Sequence, residues 1–314
     1  MKKVNVILYS SLITLLISET TVSIAIEGSK SFENYIVSYA DMIEDDDFLI
    51  SAHRGFSSLE VENTKESISL ASSKDYIDYI EIDARMTADK RLVLSHDNIL
   101  LNNSMETEVI SSLSYDDVLN TTFNYSSFDL NKNIFSFDNM LIIRRNRVLN
   151  NREYNVIGLR EGIKYCGNKK VLLDLKFGDN IEEFSDELIR ELEGIDTSNI
   201  IFQSLNINGI KYLKDNTDYN CLVLISKYED LKYINDFENV GLKYNLVSYD
   251  LVESIINSNR NLAVWTVNSR DAIDFVLERS GKYYKNIIYI SDYPDLIVTR
   301  LHEKEDVVDY QLKR

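Results

Sequence analysis

The chain has 314 residues, of which 44% are hydrophobic, and a formal net charge of -17 at pH 7. This length and apolar content allow a full core, and one α/β barrel of ordinary size would use most of the chain. The negative charge argues against a nucleic-acid partner and against simple electrostatic adhesion to anionic lipid, because their phosphate groups would be repelled. A phosphate-bearing ligand would therefore have to be held by local charges.

Residues 1–25 have the pattern of an export signal. Two lysines precede a mostly apolar run over residues 4–17, and Ser23-Ile24-Ala25 matches the small-x-small pattern of a cleavage site. An uncleaved N-terminal anchor is the alternative, because apolar residues resume at 22–26, although Glu19 interrupts the stretch. Both interpretations predict an extracytoplasmic protein, either secreted or anchored.

After a lead-in over residues 26–47, short apolar runs alternate with helical patterns, which indicates βα units and a parallel sheet. The predicted strands are residues 49–53, 77–84, 92–95, 171–176, 200–205, 221–226, 244–249, 262–267 and 287–290. The predicted helices are residues 62–73, 181–192, 207–214, 228–237, 251–257, 271–277 and 295–301. The run 92–95 is a short hairpin-like segment, which leaves eight principal strands. That count favours a closed (β/α)8 TIM barrel over residues 48–305, followed by a tail over 306–314.

Residues 98–167 break this alternation between the second and third barrel strands. They contain two predicted helices, over 115–119 and 159–166, separated by irregular sequence rich in asparagine. A structureless loop of this length is uncommon in a compact domain, so we predict an insertion on the βα face, either a lid or a subdomain. Three arginines at 144, 145 and 147 could reach a phosphate or an acidic headgroup, and a solvated basic face is the alternative.

The two cysteines, Cys166 and Cys221, are too few for a disulfide framework. One bridge is possible in an oxidising compartment, but two buried thiols are the favoured interpretation. We predict no metal site at these cysteines.

Charged residues interrupt three of the predicted strands near their C-terminal ends, which read His53-Arg54, Glu81-Ile82-Asp83 and Asp174-Leu175-Lys176. A charged side chain in an apolar strand is costly unless a site uses it, and catalytic residues gather at the C-terminal ends of barrel strands. Residues two apart on a strand point the same way, so Glu81 and Asp83 project together. With Asp174 they form an all-oxygen set suited to one divalent cation, Mg²⁺ or Ca²⁺ rather than Zn²⁺. Salt bridges to neighbouring basic residues are the alternative.

The chain contains three histidines, and two of them are expected beside these carboxylates. His53 ends the first strand, and His96 lies in a Ser-His-Asp turn after the short segment 92–95. An imidazole pair can remove a proton from one oxygen and deliver one to another near neutral pH, so we predict acid and base roles for both. A lone histidine more often only satisfies hydrogen bonds. We expect His302, in the C-terminal helix, to be a surface residue.

Four short motifs occur in order along the chain, namely His53-Arg54-Gly55, Glu62-Asn63-Thr64, Glu81-Ile82-Asp83 and His96-Asp97. Together they closely resemble the signature of the glycerophosphodiester phosphodiesterase family. The segments 265–268 and 291–295 resemble the ends of that family's seventh and eighth strands. The resemblance extends over residues 48–300 and is weakest between 98 and 170.

The resemblance implies a (β/α)8 barrel that hydrolyses glycerophosphodiesters to glycerol 3-phosphate and an alcohol, using one divalent cation, Ca²⁺ or Mg²⁺. Carried over by position, it makes His53 and His96 the catalytic acid and base. It makes Glu81, Asp83 and Asp174 the metal ligands. The implied partner is a small-molecule or lipid-derived glycerophosphodiester.

The resemblance also implies contacts to the substrate. Arg54 and Lys176 would neutralise the phosphate. Trp265 would line the pocket beside the glycerol or the leaving group, and a place in the core is the alternative. Glu62 would either bind the metal or support the residues that do.

One motif departs from the family pattern, because aspartate at position 174 stands where the family usually has glutamate before the lysine. In this respect the chain is similar to the sphingomyelinase D and lysophospholipase D toxins, which share the barrel and the two histidines. The shorter side chain pulls its oxygens back by about one methylene, so the ion would shift, take a water or be larger, such as Ca²⁺. The intact motif at 62–64 favours the phosphodiesterase, as does the absence of the toxins' C-terminal tryptophan segment, since Trp265 is the only tryptophan.

Two alternative functions remain. A lysophospholipase D or sphingomyelinase D-like enzyme, associated with a membrane surface, would need an apolar patch around the barrel mouth, which the run 141–143 could supply. A catalytically silent surface binding module would keep the barrel without turnover. All the charged site positions are filled, which argues against this module.

Overall fold

The barrel strands are short runs of branched apolar residues, as expected where a parallel sheet is covered on both faces. The computed structural model of the protein describes residues 48–101, 106–123 and 152–312. The barrel strands are β1 (Leu49–Ala52), β2 (Tyr79–Met86), β3 (Lys170–Leu175), β4 (Ile200–Ser204), β5 (Asn220–Ile225), β6 (Asn239–Lys243), β7 (Asn261–Trp265) and β8 (Ile287–Ser291). The predicted signal or anchor, the lead-in, the three arginines and the apolar run 141–143 lie outside the described residues.

Parallel pairing closes these eight strands into a barrel. Each strand pairs with the next one in the chain, and β1 pairs with both β2 and β8. The longest register joins β2 to β3 and places Asp83 opposite Asp174. The predicted (β/α)8 barrel is therefore confirmed.

Helices cover the outside of the barrel. They are α1 (Lys65–Ser72), α2 (Leu159–Tyr165), α3 (Ile181–Glu191), α4 (Ile207–Asn216), α5 (Tyr249–Asn257), α6 (Arg270–Ser280) and α7 (Pro294–Leu312). Polar side chains fix several of the starts, because their oxygens accept a hydrogen bond from an amide of the first turn, as Thr64 does for α1 and Asn180 for α3. Within the described ranges, no helix is both long and apolar enough to cross a membrane.

Two predicted elements were wrong. The sixth strand is Asn239–Lys243, whereas residues 244–249 form a 3₁₀ turn and the start of α5. The run 244–249 has higher strand propensity, but packing inside the barrel selects Asn239–Lys243 as the strand. Gly241 leaves room there for Leu224, since a Cβ at Gly241 would lie 2.5 Å from a methyl of that leucine. The helix predicted at 228–237 is a 3₁₀ helix, Tyr228–Asp236, in which only Ile234 is buried.

Apolar side chains fill the lower part of the barrel interior. Their cluster consists of Tyr79, Leu172, Ile201, Leu222, Leu224, Ala263, Ile288 and Ile290, with Leu49 and Trp265 packed against it. A larger cluster fills the space between the strands and the helices. Because the interior is closed from below, polar residues further along the strands lie at the C-terminal mouth.

The segment between β2 and β3 has a small apolar core of its own. A short strand, Leu92–Leu94, runs antiparallel to β2, as the hairpin-like pattern predicted. It is followed by two two-stranded sheets and the helix Tyr115–Asn120. The core of this insertion contains Leu100, Ile110, Val118, Phe123, Tyr154 and Val156, and Val61 and Val93 join it from the barrel side. The insertion is thus packed onto the barrel near its mouth.

Both cysteines are buried free thiols, as predicted. Burial raises the pKa of each thiol to about 12. The side chain of His302 is half-buried, and its ring meets that of Phe48 edge-on, with centroids 5.6 Å apart. Helix α7, which carries His302, extends beyond the predicted end at residue 301.

Candidate active site

Glu81, Asp83 and Asp174 meet at the barrel mouth because β2 and β3 lie side by side in register. Each offers a carboxylate oxygen, and these oxygens all lie within 4.8 Å of one another. None of the three residues exposes more than 7% of its surface. The structure therefore brings together the three residues predicted as metal ligands.

Lys176 lies between two of these carboxylates. Its ammonium nitrogen is 2.8 Å from Asp83 Oδ1 and 2.7 Å from Asp174 Oδ2. Burial opposes ionisation of Asp83, but Lys176 and Arg54 hold the pKa of Asp83 well below its usual range. For Asp174 burial prevails over Lys176, and its pKa is raised. The alternative of salt bridges to basic residues thus holds for this half of the cluster.

Glu81 differs, because within the described residues no lysine or arginine side chain pairs with it. It accepts a hydrogen bond from the Arg54 amide at 2.8 Å and a longer one from Gln203 at 3.4 Å, and His53 Nε2 is 3.8 Å away. Burial and the neighbouring Asp83 raise the pKa of Glu81 to about 8. The cluster is shared by the Lys176 ammonium and, at Asp83, by the Arg54 guanidinium, yet the pKa values of Glu81 and Asp174 stay raised, so these two cations do not fully compensate the three carboxyl groups. This donor set fits a hard divalent cation such as Mg²⁺ or Ca²⁺.

A loop after β1 braces the cluster from one side. Arg54 has a positive φ of 56°, and its Nη1 donates to both oxygens of Glu62, at 2.9 and 3.0 Å. Asn63 donates to Asp83 Oδ2 at 2.7 Å and accepts from the Asp83 amide at 2.9 Å. Glu62 therefore holds Arg54 in place and is not part of the carboxylate cluster. The Nε of Arg54 lies 3.4 Å from Asp83, so Arg54 connects the two.

His53 is oriented by Asp292, the residue that follows β8. Its Nδ1 donates to Asp292 Oδ1 at 2.5 Å, so Nε2 is the nitrogen that faces Glu81. Asp292 also accepts hydrogen bonds from Ser57 at 3.1 Å and from Asn268 at 2.6 Å. Burial would lower the pKa of His53, but Asp292 and Glu81 together raise it above the ordinary value.

His96 lies on the other side of the cluster, in a cleft between the barrel and the insertion. Its Nδ1 is 2.8 Å from Asp97 Oδ1, and burial lowers its pKa. The cleft has a polar wall, which includes Glu62 and Ser95. Its apolar wall comes from the insertion and consists of Leu100, Phe123 and Val156. The two histidines thus have opposite electrostatic environments, which suits an acid–base pair.

The wall formed by β6 and β7 carries two further side chains. Trp265 packs against the interior cluster, and its buried Nε1 has no hydrogen-bond partner in the part of the chain that the structure describes. Lys243 ends β6 and pairs in register with Trp265. Trp265 is therefore both a core residue and a residue of the mouth.

Four polar residues of the mouth were given no role by the sequence. These are Asn63, Gln203, Lys243 and Asp292. Gln203 on β4 and Asp292 after β8 are near the ends of predicted strands, so the strand-end rule marks their positions. Lys243 ends β6 but precedes the predicted strand 244–249, so the rule does not reach it. Asn63 lies in the motif at 62–64, but its contact with Asp83 depends on the fold.

Comparison with known proteins gives a family match over most of the chain. The sequence pattern of the Glycerophosphoryl diester phosphodiesterase family matches residues 53–282. An uncharacterized protein of Mycoplasma genitalium, MG293, is 26% identical over 256 residues, which cover 75% of this chain and 93% of that protein.

Solved structures with the same fold include several phosphodiesterases. One is a phosphodiesterase of Oleispira antarctica in complex with the product sn-glycerol-3-phosphate, at 18% identity and a TM-score of 0.62, covering 81% of this chain and 96% of that one. A glycerophosphodiester phosphodiesterase of Parabacteroides distasonis has 18% identity and a TM-score of 0.60, covering 83% and 100%. The glycerophosphodiester phosphodiesterase of Thermotoga maritima has 16% identity and a TM-score of 0.56, and the match covers 82% of this chain and 99% of that one.

Proposed function

Because the chain belongs to the glycerophosphoryl diester phosphodiesterase family, we propose that it hydrolyses a glycerophosphodiester at a divalent cation held by Glu81, Asp83 and Asp174. The products would be sn-glycerol 3-phosphate and an alcohol. Enzymes of this family are phosphoric diester hydrolases. The observation that carries the proposal is the buried cluster of three carboxylates, within 4.8 Å of one another, beside His53.

The charges around the cluster support phosphoryl chemistry. When bound, the cation would polarise a phosphoryl oxygen and offset the charge that develops on it. Lys176 lies at the same place and offers an ammonium to a non-bridging oxygen. Arg54 is held by Glu62 and adds positive charge to one side. A dianionic product can thus be accommodated despite the acidic surroundings.

Proton transfer would be the task of the two histidines. One imidazole takes a proton from the attacking oxygen, which belongs to water or to the neighbouring glycerol hydroxyl. If the glycerol hydroxyl attacks, a cyclic phosphate forms, and water must then open this ring to give sn-glycerol 3-phosphate. The other donates a proton to the oxygen of the leaving alcohol as its bond to phosphorus breaks. Asp292 fixes the tautomer of His53, so that its Nε2 faces the reacting group.

Release of sn-glycerol 3-phosphate from a panel of glycerophosphodiesters, with Ca²⁺, Mg²⁺ or a chelator, tests the proposal. We expect release with a cation and none with the chelator. His53→Ala and His96→Ala should each lower kcat by about 10²- to 10⁴-fold. His302→Ala is the matched control, since His302 lies in α7 against Phe48. No release with either cation would refute the proposal, and loss of less than tenfold in both histidine variants would refute their roles.

A second candidate is a lipid phosphodiester. This candidate rests on the cleft beside His96, because a hydrocarbon substituent that entered the cleft would meet Leu100, Phe123 and Val156 of the insertion core. Comparing glycerophosphocholine with lysophosphatidylcholine separates the two candidates. Faster turnover of the lipid would favour the lipid substrate.

A further inference from the structure

The barrel mouth has a second wall, opposite the carboxylate cluster. The eight strands close in sequence order, so β6 is four strands away from β2 in either direction around the barrel. Glu81 and Asp83 lie on β2, and Lys243 is the last residue of β6. Lys243 therefore faces the cluster from across the mouth.

The orientation of Lys243 follows from Gly241, two residues earlier on the same strand. A Cβ at Gly241 would meet Leu224 and Leu222, which both belong to the apolar cluster inside the barrel. Side chains two apart on a strand share a face, so Lys243 also points inward. It stands above the apolar cluster, where the mouth opens, and it is half-buried.

Lys243 differs from Arg54 and Lys176 in having no acidic partner among the described residues. Arg54 pairs with Glu62 and Asp83, and Lys176 pairs with Asp83 and Asp174. Among the residues that the structure describes, the side-chain ammonium of Lys243 has neither a hydrogen bond nor an ion pair. Its ammonium is left available to a ligand.

We propose that Lys243 binds an anionic group on the alcohol portion of the substrate. This inference rests on the proposed function, in which the phosphodiester is held at the carboxylate cluster. The phosphodiester has two substituents, glycerol and the alcohol. The glycerol carries no charge, so the charge of Lys243 can affect binding only through the alcohol. An ammonium there attracts an alcohol that carries a phosphate and repels one that carries a quaternary amine. The enzyme therefore selects glycerophosphodiesters with an anionic alcohol.

Three substrates that differ in the charge of the alcohol test this selection. They are glycerophosphocholine, glycerophosphoglycerol and glycerophosphoglycerol with a terminal phosphate. We expect wild-type kcat/KM to be about tenfold or more higher for the terminal phosphate than for choline, with most of the difference in KM. Lys243→Gln should reduce this ratio to about one to three, and Lys243→Glu should invert it, while Lys243→Arg retains it. A smaller fraction of folded enzyme would lower kcat/KM for all three substrates by the same factor, so it would leave the ratio unchanged.

Lys211→Gln provides the matched control. It removes the same charge from an exposed position on α4 and should leave the ratio at the wild-type value. If wild type cleaves all three substrates and Lys243→Gln keeps the wild-type ratio, the inference is overturned and the proposed function stands. If wild type cleaves none of them with Ca²⁺ or Mg²⁺, the proposed function fails, and the inference fails with it.

Discussion

A single carboxylate, that of Asp292, connects His53 to the end of the last strand. The bond from His53 Nδ1 is 2.5 Å long, and it fixes both the tautomer and the direction of the ring. Asp292→Asn keeps the shape but removes the charge that stabilises a protonated imidazole. We expect kcat to fall by about 10²- to 10⁴-fold with little change in KM, as measured by steady-state kinetics.

Ser57→Ala is the control for this effect. Ser57 donates to the same Asp292 oxygen at 3.1 Å, but its loss leaves the contact with His53 in place. Its kcat should stay within about threefold of wild type, because the hydrogen bond from His53 to Asp292, which orients the imidazole, remains in place. A folded Asp292→Asn enzyme with wild-type kcat would show that His53 does not need this orientation.

Individual residues of the site were predictable where only local geometry was needed. Alternation along one strand is enough to place Glu81 and Asp83 on the same face. The role of Asp292 was not predictable in this way, because it depends on the closure of β1 against β8, in which Ala52 lies opposite Ser291. Lys243 was missed because its strand was assigned to the wrong residues.

Among the elements, the turn from β1 into α1 is the most constrained. Gly55 has a φ of +77°, and its amide donates to the Glu81 carbonyl at 3.0 Å. An added Cβ would lie 2.7 Å from the Ser67 backbone and 2.8 Å from that of Ile68. We therefore expect Gly55→Ala to lower the free energy of unfolding by about 2–4 kcal/mol, combining backbone strain with overpacking. Urea denaturation measures this change.

A second glycine serves as the control for this turn. A Cβ at Gly178 would meet nothing within 4 Å, and its φ is not in the left-handed region. Gly178→Ala should change the free energy of unfolding by about 1 kcal/mol or less, and in the stabilising direction. Equal stability of the two variants would contradict the strain assigned to Gly55. Gly55→Ala should also lower kcat, because His53 and Arg54 directly precede Gly55 and would be displaced with the turn.

Most helices and strands were predictable from periodicity, but β6 was not. Its sequence contains asparagine, glycine and lysine, which individually disfavour strands. What holds it is long-range pairing, including a ladder in which Asn239 donates to Asn220 at 2.5 Å and accepts from Asn261 at 2.6 Å. Single-sequence propensity contains no information about such neighbours, and it therefore favours the more strand-like run 244–249.

At the scale of the whole molecule, barrel closure concentrates acidic charge in one buried place. Carboxylates separated by more than ninety positions, Glu81 and Asp174, become neighbours. The repulsion is visible in Glu81, whose pKa burial and Asp83 raise to about 8. Folding without a cation therefore leaves an unfavourable electrostatic term, which binding of a cation would remove.

The stability of the fold should consequently depend on the cation. We expect Ca²⁺ or Mg²⁺ to raise the free energy of unfolding, by about 2.7 kcal/mol at a hundred times the dissociation constant, relative to a chelator. Glu81→Gln should act in opposite directions. It removes a buried carboxyl group that is ionised in the unfolded chain and must take up a proton on folding near pH 7, so it stabilises the cation-free protein. It should also abolish most of the increase caused by the cation. Asp215→Asn, at an exposed position of α4, should keep the full increase. Thermal unfolding at constant ionic strength measures both effects. If Glu81→Gln responded to the cation as wild type does, stabilisation would have to come from another site, and the carboxylate cluster would lose its assigned role.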